Sequence, residues 1–292
     1  MPVVLAVARH RSFSSAAAEL GLGASAVSHA VRAVEEFLGE PIFVRTTRSV
    51  ALTASGELLA ARLAQAFGDI DAAVENIVVA RGEISGLLRL NAPHLVASQV
   101  LRPIVVEMSR RHPRLSVELI SDNALVDVVG QGFDGGVRLG EMIAADMIAQ
   151  RLTPPFRMVM AAAPSYLSKR GTPAMLADLK GHNCIGYRLL GSGAIYEWEF
   201  VDANGNDIAV AVAGTARVSE TMLAREFALD GLGIAYLADF LVRADLAAGR
   251  LVQILPETAL MEPGFFLYYP QRSARASKLR AFLDAARTTA LI

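Results

Sequence analysis

The feature that most constrains this 292-residue chain lies between residues 13 and 32, FSSAAAELGLGASAVSHAVR. Two short helical patterns are pinched together at Gly21. Ser14 is placed to cap the first, which runs to Leu20, and Gly21 can take the positive φ that ends it. A second helix then starts near Ala24 and runs to about Leu38. Helices joined by so tight a turn approach closely, which demands a small residue on the first, and Ala17 sits four residues before Gly21. Leu20, Leu22, Val27 and Ala30 or Val31 supply the inward face. The spacing is that of a helix-turn-helix.

The outward face of the second helix then carries Ser25, Ser28, His29 and Arg32, related by three- and four-residue steps and so on one side. Hydroxyls, an imidazole and a guanidinium can reach base edges or phosphates in a major groove. Each alone would be ordinary on a solvated helix; the set points to duplex DNA. Residues 41–53, PIFVRTTRSVALT, read as two short strands, 42–45 and 50–52, around a polar turn. That is a wing, with Arg45, Thr46, Thr47 and Arg48 suited to phosphate contacts. Arg11 adds a cation in the loop between the first helices, and Thr53 is placed to cap the helix that follows.

Charge decides little globally: 28 Lys plus Arg stand against 29 Asp plus Glu. Residues 1–60 hold five basic and five acidic side chains, so a dimer that doubles the phosphate contacts is expected. A partner helix is at hand. Residues 55–80 contain no proline, and Leu59, Leu63, Ala66, Ile70, Ala73 and Ile77 repeat at the 3.5-residue period of a coiled-coil seam. The seam serves either a second chain or the helix's own domain. Residues 81–86, RGEISG, break the pattern as a hinge.

Beyond the hinge, strand-like 87–91 and 116–120 alternate with helical 94–111 and 124–131. This order argues for an α/β fold with a largely parallel sheet. Further strands are expected at 158–162, 208–212, 234–237 and 265–269, and a last helix at about 278–288. Mean hydropathy is high at +0.38, yet stretches free of Asp, Glu, Lys and Arg, such as residues 20–31, fall short of the 18–20 residues of a membrane span. The N-terminus shows no secretory signal. The single Cys184 excludes an internal disulfide framework and a cysteine zinc site. A cytoplasmic protein without metal is the expectation.

Two rival classes find little support in the residues. Catalysis lacks a motif: the five histidines show no H-E-x-x-H spacing, and no nucleophile elbow or Walker loop occurs. A solute-binding protein would need a secretory signal and no N-terminal DNA-binding module.

Residues 11–56, RSFSSAAAELGLGASAVSHAVRAVEEFLGEPIFVRTTRSVALTASG, resemble the DNA-binding domain of LysR-type transcriptional regulators throughout. The resemblance continues in 86–90 (GLLRL), 132–140 (GFDGGVRLG) and 230–236 (DGLGIAY) and covers essentially the whole chain. One departure is that family members carry several more residues before the equivalent of Val3, so either the native start lies upstream or the first helix is short. The resemblance implies an N-terminal all-α winged helix-turn-helix over 1–54, a dimerisation helix over 55–80 and an α/β effector domain over 87–292. That domain would be like type 2 periplasmic binding proteins, with subdomain I at 87–162 plus 266–292 and subdomain II at 163–265. It also implies promoter DNA, RNA polymerase and a small-molecule effector as partners, a homodimer assembling to a homotetramer, and ligand-dependent DNA bending, with no cofactor.

Ligands of open α/β sheets sit beyond the carboxyl ends of strands, near helix N-termini that favour anions. Candidate cleft residues are therefore Pro93, His94, Ser121, Asn123, Arg138, Ser219, Glu220 and Thr221. His94 and Arg138 suit a carboxylate; the alternative for Arg138 is a structural pair with Asp134. Tyr187, Tyr196 and Trp198 fit the cleft or plain packing equally.

Overall fold

The computed structural model describes residues 1–45, 50–79, 84–202 and 204–289. The chain opens with α1 (Pro2–His10), α2 (Phe13–Leu20), α3 (Ala24–Leu38), a hairpin of β1 (Phe43–Arg45) and β2 (Val50–Leu52), and the long α4 (Ala54–Val79). The cap of α2 is Ser12, not Ser14: Ser12 is extended, and its Oγ accepts from the Ser15 amide at 3.2 Å. Helical geometry begins at Phe13, whose ring packs edge-on against Phe43. Gly21 ends α2 at φ 64°, and α3 follows after Gly23. Val4, Val7, Ala17, Val27, Val31, Ile42 and Phe43 form the core of this module. Nine-residue α1 thus backs the recognition helix with two fully buried valines. Leu22, expected inward, is 48% exposed. Its amide closes the turn by bonding the Ala17 carbonyl at 2.9 Å, which leaves the side chain outside.

The wing is antiparallel, with Phe43 opposite Leu52. Thr53 caps α4 as expected, accepting from the Gly56 amide at 3.0 Å while donating to the Pro41 carbonyl at 2.7 Å. The seam on α4 divides. Leu59 and Leu63 pack against the chain's own winged module, whereas Ile70 is 56% exposed. The side chains of Ala73 and Ile77 lie outside the described residues, as do wing residues 46–49 and hinge residues 81–83.

The second half runs β3 (Gly86–Ala92), α5 (His94–Val96), a π-helical turn (Ala97–Leu101), α6 (Arg102–Arg111), β4 (Leu115–Ser121), β5 (Gly135–Leu139), β6 (Met147–Arg151) and β7 (Phe156–Ala162). Next come α7 (Pro164–Arg170), β8 (Gly186–Tyr187), β9 (Trp198–Val201), β10 (Asp207–Val210), β11 (Arg217–Val218), α8 (Thr221–Leu229) and β12 (Ala235–Ala238). The chain finishes with α9 (Asp239–Ala247), β13 (Val252–Ile254), β14 (Leu260–Glu262), β15 (Phe265–Pro270) and α10 (Ser277–Thr288).

The first sheet has the order β4-β3-β5-β15-β6. Its first three strands are parallel, while β15 runs antiparallel to both neighbours. The second sheet centres on β7, with β12, β13 and β14 all antiparallel to it. The sheets are therefore mixed rather than largely parallel. Strand β7, expected in subdomain I, belongs by its hydrogen bonds to the second sheet. Its run of apolar residues alternates between two cores: Val159 and Ala161 face one, Met160 and Ala162 the other.

Residues 124–131 are not helical. Asp127 Oδ1 accepts from the amides of Val129 (3.0 Å) and Gly130 (2.9 Å), a local turn that competes with a helix. Strand β5 is not legible in the sequence because Gly135-Gly136 has no strand propensity. Packing demands the glycine, since a Cβ at Gly136 would stand 2.6 Å from the Tyr268 ring. Two crossovers join the sheets and are stitched together: the Leu152 amide bonds the Phe265 carbonyl at 2.8 Å, and the Phe265 amide bonds buried Thr153 Oγ1 at 2.9 Å. Helix α10 returns to pack on α6 and β3.

Candidate nucleic-acid interface and effector cleft

The recognition surface is built by α3. Ser25, His29 and Arg32 are exposed on one face, and Arg11 is exposed at the α1–α2 joint with a left-handed φ of 49°. Ser28 is half-buried and accepts from Arg45 Nη1 at 3.1 Å. Arg45 itself is engaged within the protein. Its Nη2 lies 3.6 Å from Glu35 Oε2, and its guanidinium sits 4.2 Å from the centre of the Phe13 ring. Arg45 therefore clasps wing, α3 and α2 together, with its side chain still 35% exposed. Thr46 and Arg48 lie outside the described residues.

Glu35 holds the arrangement. Its Oε1 accepts from the amides of Ile42 (2.9 Å) and Phe43 (3.1 Å), so the end of the recognition helix pins the first strand of the wing. Sequence reasoning counts Glu35 only as negative charge. A carboxylate on α3 just before a chain reversal is the signal that was available. Behind this face, Glu19 bonds Arg9 at 2.7 Å and His10 at 2.5 Å. Burial by itself would raise its pKa, but the His10 bond and the Arg9 charge hold it below the ordinary carboxylate range.

Between the two subdomains lies a cavity of about 240 Å³. Of the eight expected residues, Pro93, Asn123, Arg138 and Thr221 line it. Four do not. Ser121 is exposed at the end of β4, and His94 is exposed with its amide bonded to Asn123 Oδ1 at 3.0 Å. Ser219 presents its carbonyl to Asn123 Nδ2 at 2.6 Å, so Asn123 ties subdomain I to subdomain II. Glu220 turns back to cap α8, accepting from the Met222 amide at 3.0 Å.

Arg138 is 2% exposed. Its guanidinium donates to the carbonyls of Val137 (2.7 Å) and Ala124 (2.8 Å) and to Asn91 Oδ1 (2.6 Å). Nε is buried without a hydrogen-bond partner among the described residues. Asp134 is not its counter-ion: that carboxylate binds Lys278 Nζ at 2.8 Å and the Arg89 amide at 2.8 Å. Among the described residues no carboxylate reaches ion-pair distance of Arg138. Burial lowers its pKa against the opposing pull of Tyr268 and Asp122, and a guanidinium stays charged in such a setting.

Subdomain II contributes Tyr187, Tyr196, Trp198 and Tyr236 to the cavity wall, along with Glu262. Trp198 stacks on Tyr236 at 5.5 Å, and both are also core residues. Sequence reasoning misses Glu262, whose surrounding pattern carries no signal. Cys184 is sealed in the same core, where burial pushes its thiol up to about 12, far from a reactive thiolate. Among the described residues no helix is long and apolar enough to cross a membrane, and no group of His, Cys, Asp and Glu could hold a metal ion.

Residues 1–57 match the family model of the bacterial regulatory helix-turn-helix protein, lysR family. Residues 81–291 match that of the LysR substrate binding domain. The uncharacterised HTH-type transcriptional regulator YcaN of Escherichia coli K12 is 38% identical over 283 residues, spanning 97% of this chain and 92% of the relative. The HTH-type transcriptional regulator PgrR of the same strain is 35% identical, over 95% and 93% of the two chains. Among solved structures, the LysR-type regulator CrgA from Neisseria meningitidis superposes with a TM-score of 0.62 at 30% identity, covering 98% of this chain and 96% of its own. A full-length variant of AphB shares the fold with a TM-score of 0.71 at 21% identity, over 100% and 98%. An exposed α3 face, a wing pinned to it and a two-subdomain cleft are thus joined in one chain, which belongs to the LysR family of DNA-binding transcriptional regulators with an effector-binding domain.

Proposed function

We propose that the chain works as a ligand-controlled regulator of a promoter, in the cytoplasm, and not as a catalyst. Two copies pair through the open part of α4, and two pairs form a tetramer. Each pair sets two α3 helices in successive major grooves, where Ser25, Ser28, His29 and Arg32 read base edges while Arg11, Thr46 and Arg48 hold phosphates. A small anionic effector in the cleft shifts the balance between two subdomain arrangements, altering the spacing of the DNA-binding pairs, the bend in the promoter and the contact with RNA polymerase. The effector acts only through its different affinity for those arrangements. No cofactor or metal enters this reading.

The observation that carries the anionic ligand is Arg138: a buried guanidinium at a cavity between two subdomains, bonded to neutral oxygens and, among the described residues, lacking a paired carboxylate. Burying a charge without its opposite is costly, and an effector carboxylate would supply it. The test joins a thermal-shift screen of small carboxylates on the full chain with a gel-shift assay on DNA upstream of its own gene. A carboxylate that both stabilises the protein and changes the mobility or bend of the complex is expected. Sequence-independent binding, or stabilisation by no carboxylate, would refute the reading.

A further inference from the structure

The inner surface of the cleft is mostly hydrocarbon. Leu95, Val96 and Leu139 line it from subdomain I, and Met158, Ile185 and Leu189 from subdomain II. Its polar side chains are turned to partners within the protein. Tyr236 donates its hydroxyl proton to the Glu199 carbonyl, and Tyr196 bonds the Glu199 side chain. Tyr187 and Thr221 are hydrogen-bonded to each other. Asn123 is occupied at both ends, accepting from the His94 amide at 3.0 Å and donating to the Ser219 carbonyl at 2.6 Å. Glu262 is engaged within the protein as well. The Trp198 indole carries a donor and no acceptor. Of the buried polar side-chain atoms left without a hydrogen bond among the described residues, the one on a lining residue is Arg138 Nε.

This inventory restricts the occupant. A hydroxyl or carboxylate that leaves water for the cavity must find a partner there, or its lost hydration is not made good. The cavity offers one guanidinium for one carboxylate, and ring and chain carbon for the rest. From this we infer that the effector is a hydrophobic monocarboxylate, with its carboxylate toward Arg138 and a ring-sized hydrocarbon body against the Trp198–Tyr236 and Phe156–Phe265 ring stacks. The same count disfavours sugar acids, hydroxy acids and dicarboxylates, whose extra polar groups would be buried unmatched. The inference rests on the anionic reading above and adds the nature of the rest of the molecule. Size agrees: a cavity of about 150 Å³ holds benzene, so 240 Å³ takes a ring with a short carboxylate arm.

The experiment is calorimetric titration of the full chain with benzoate, cyclohexanecarboxylate, 3-phenylpropionate and hexanoate, each beside its hydroxylated, dicarboxylic and amide counterparts. For 3-phenylpropionate these are 3-phenyllactate, phenylsuccinate and 3-phenylpropanamide. At least one of the four acids should bind about tenfold or more tightly than all three of its counterparts. Should a hydroxy acid or a diacid equal or exceed its parent, the hydrocarbon body is refuted while the anionic reading stands. Should an amide match its acid, both fall. If none of the four acids binds, the hydrophobic monocarboxylate is refuted, and a carboxylate hit from the thermal-shift screen decides the anionic reading separately. Tyr236→Phe should leave the affinity of the best acid unchanged, because that hydroxyl is given to Glu199. A loss of about tenfold in a folded Tyr236→Phe would show the hydroxyl to meet the ligand and would overturn the inference. The wild-type comparisons stand even if Tyr236→Phe folds poorly.

Discussion

Replacing Glu35 with alanine tests how the DNA-binding module is held together. The change removes the acceptor of two backbone amides, Ile42 at 2.9 Å and Phe43 at 3.1 Å, beside side chains only 1% and 5% exposed. Hydrogen bonds to a charged group contribute about 1.5–3 kcal/mol each. Glu35 is partly open to water, which lets solvent recover some of the loss, so we expect about 2–4 kcal/mol for the pair. The Arg45 contact at 3.6 Å adds at most about 1 kcal/mol, being half-exposed. The chain carries its own control, because its one tryptophan, Trp198, is buried in subdomain II. In urea, helical circular dichroism should show the winged module melting earlier in Glu35→Ala, while the Trp198 fluorescence transition stays in place. Glu35→Gln, which keeps one acceptor oxygen, should lie between. Affinity for operator DNA should fall with the module's stability. If Glu35→Ala leaves the dichroism transition within about 0.5 kcal/mol of the parent, the clasp is not what orders the wing.

Three further outcomes are expected. Arg32→Ala should cost about 1–3 kcal/mol on the preferred operator and relax base preference, whereas Arg48→Ala should weaken all sequences alike and flatten the salt dependence; equal losses from both on every DNA, read by gel shift, would reject that division. Asp245 is fully buried between Arg225 at 2.7 Å and Arg250 at 2.6 Å, so Asp245→Ala should destabilise subdomain II by about 3–5 kcal/mol, seen in the Trp198 transition. Burial would raise the Asp245 pKa, but the two arginines hold it below its ordinary value; its contribution is thus complete at neutral pH and drains away as pH falls below about 4, and acid melts of the variant should be correspondingly flatter. Asn123→Ala removes the acceptor of the His94 amide, so exchange of that amide should quicken by about 2–10-fold, and an unchanged rate would show that the Asn123 Oδ1 bond does not protect it.

Local rules written in neighbouring residues settle most of the N-terminal module. A glycine that alone tolerates positive φ, an alanine where helices touch and a valine face of helical period leave little freedom, so α2, α3, the wing strands and the Thr53 cap follow from neighbours in the chain. The long α4 and the terminal α10 are legible for the same reason. Side-chain partners are not, because they come from elsewhere in the chain. Arg45 reads as a free cation until Phe13, Ser28 and Glu35 are found around it, and Leu22 reads as core until the turn points it outward. In the effector half, β7 and β15 find their sheets only through long-range pairing, and a glycine pair becomes a strand because Tyr268 needs the space. The cleft is the extreme case. Arg138 and Glu262 are distant in sequence, and only the closure of two subdomains about their stitched crossovers brings both charges to one cavity, because burial and charge pairing are properties of the packed whole and not of any segment.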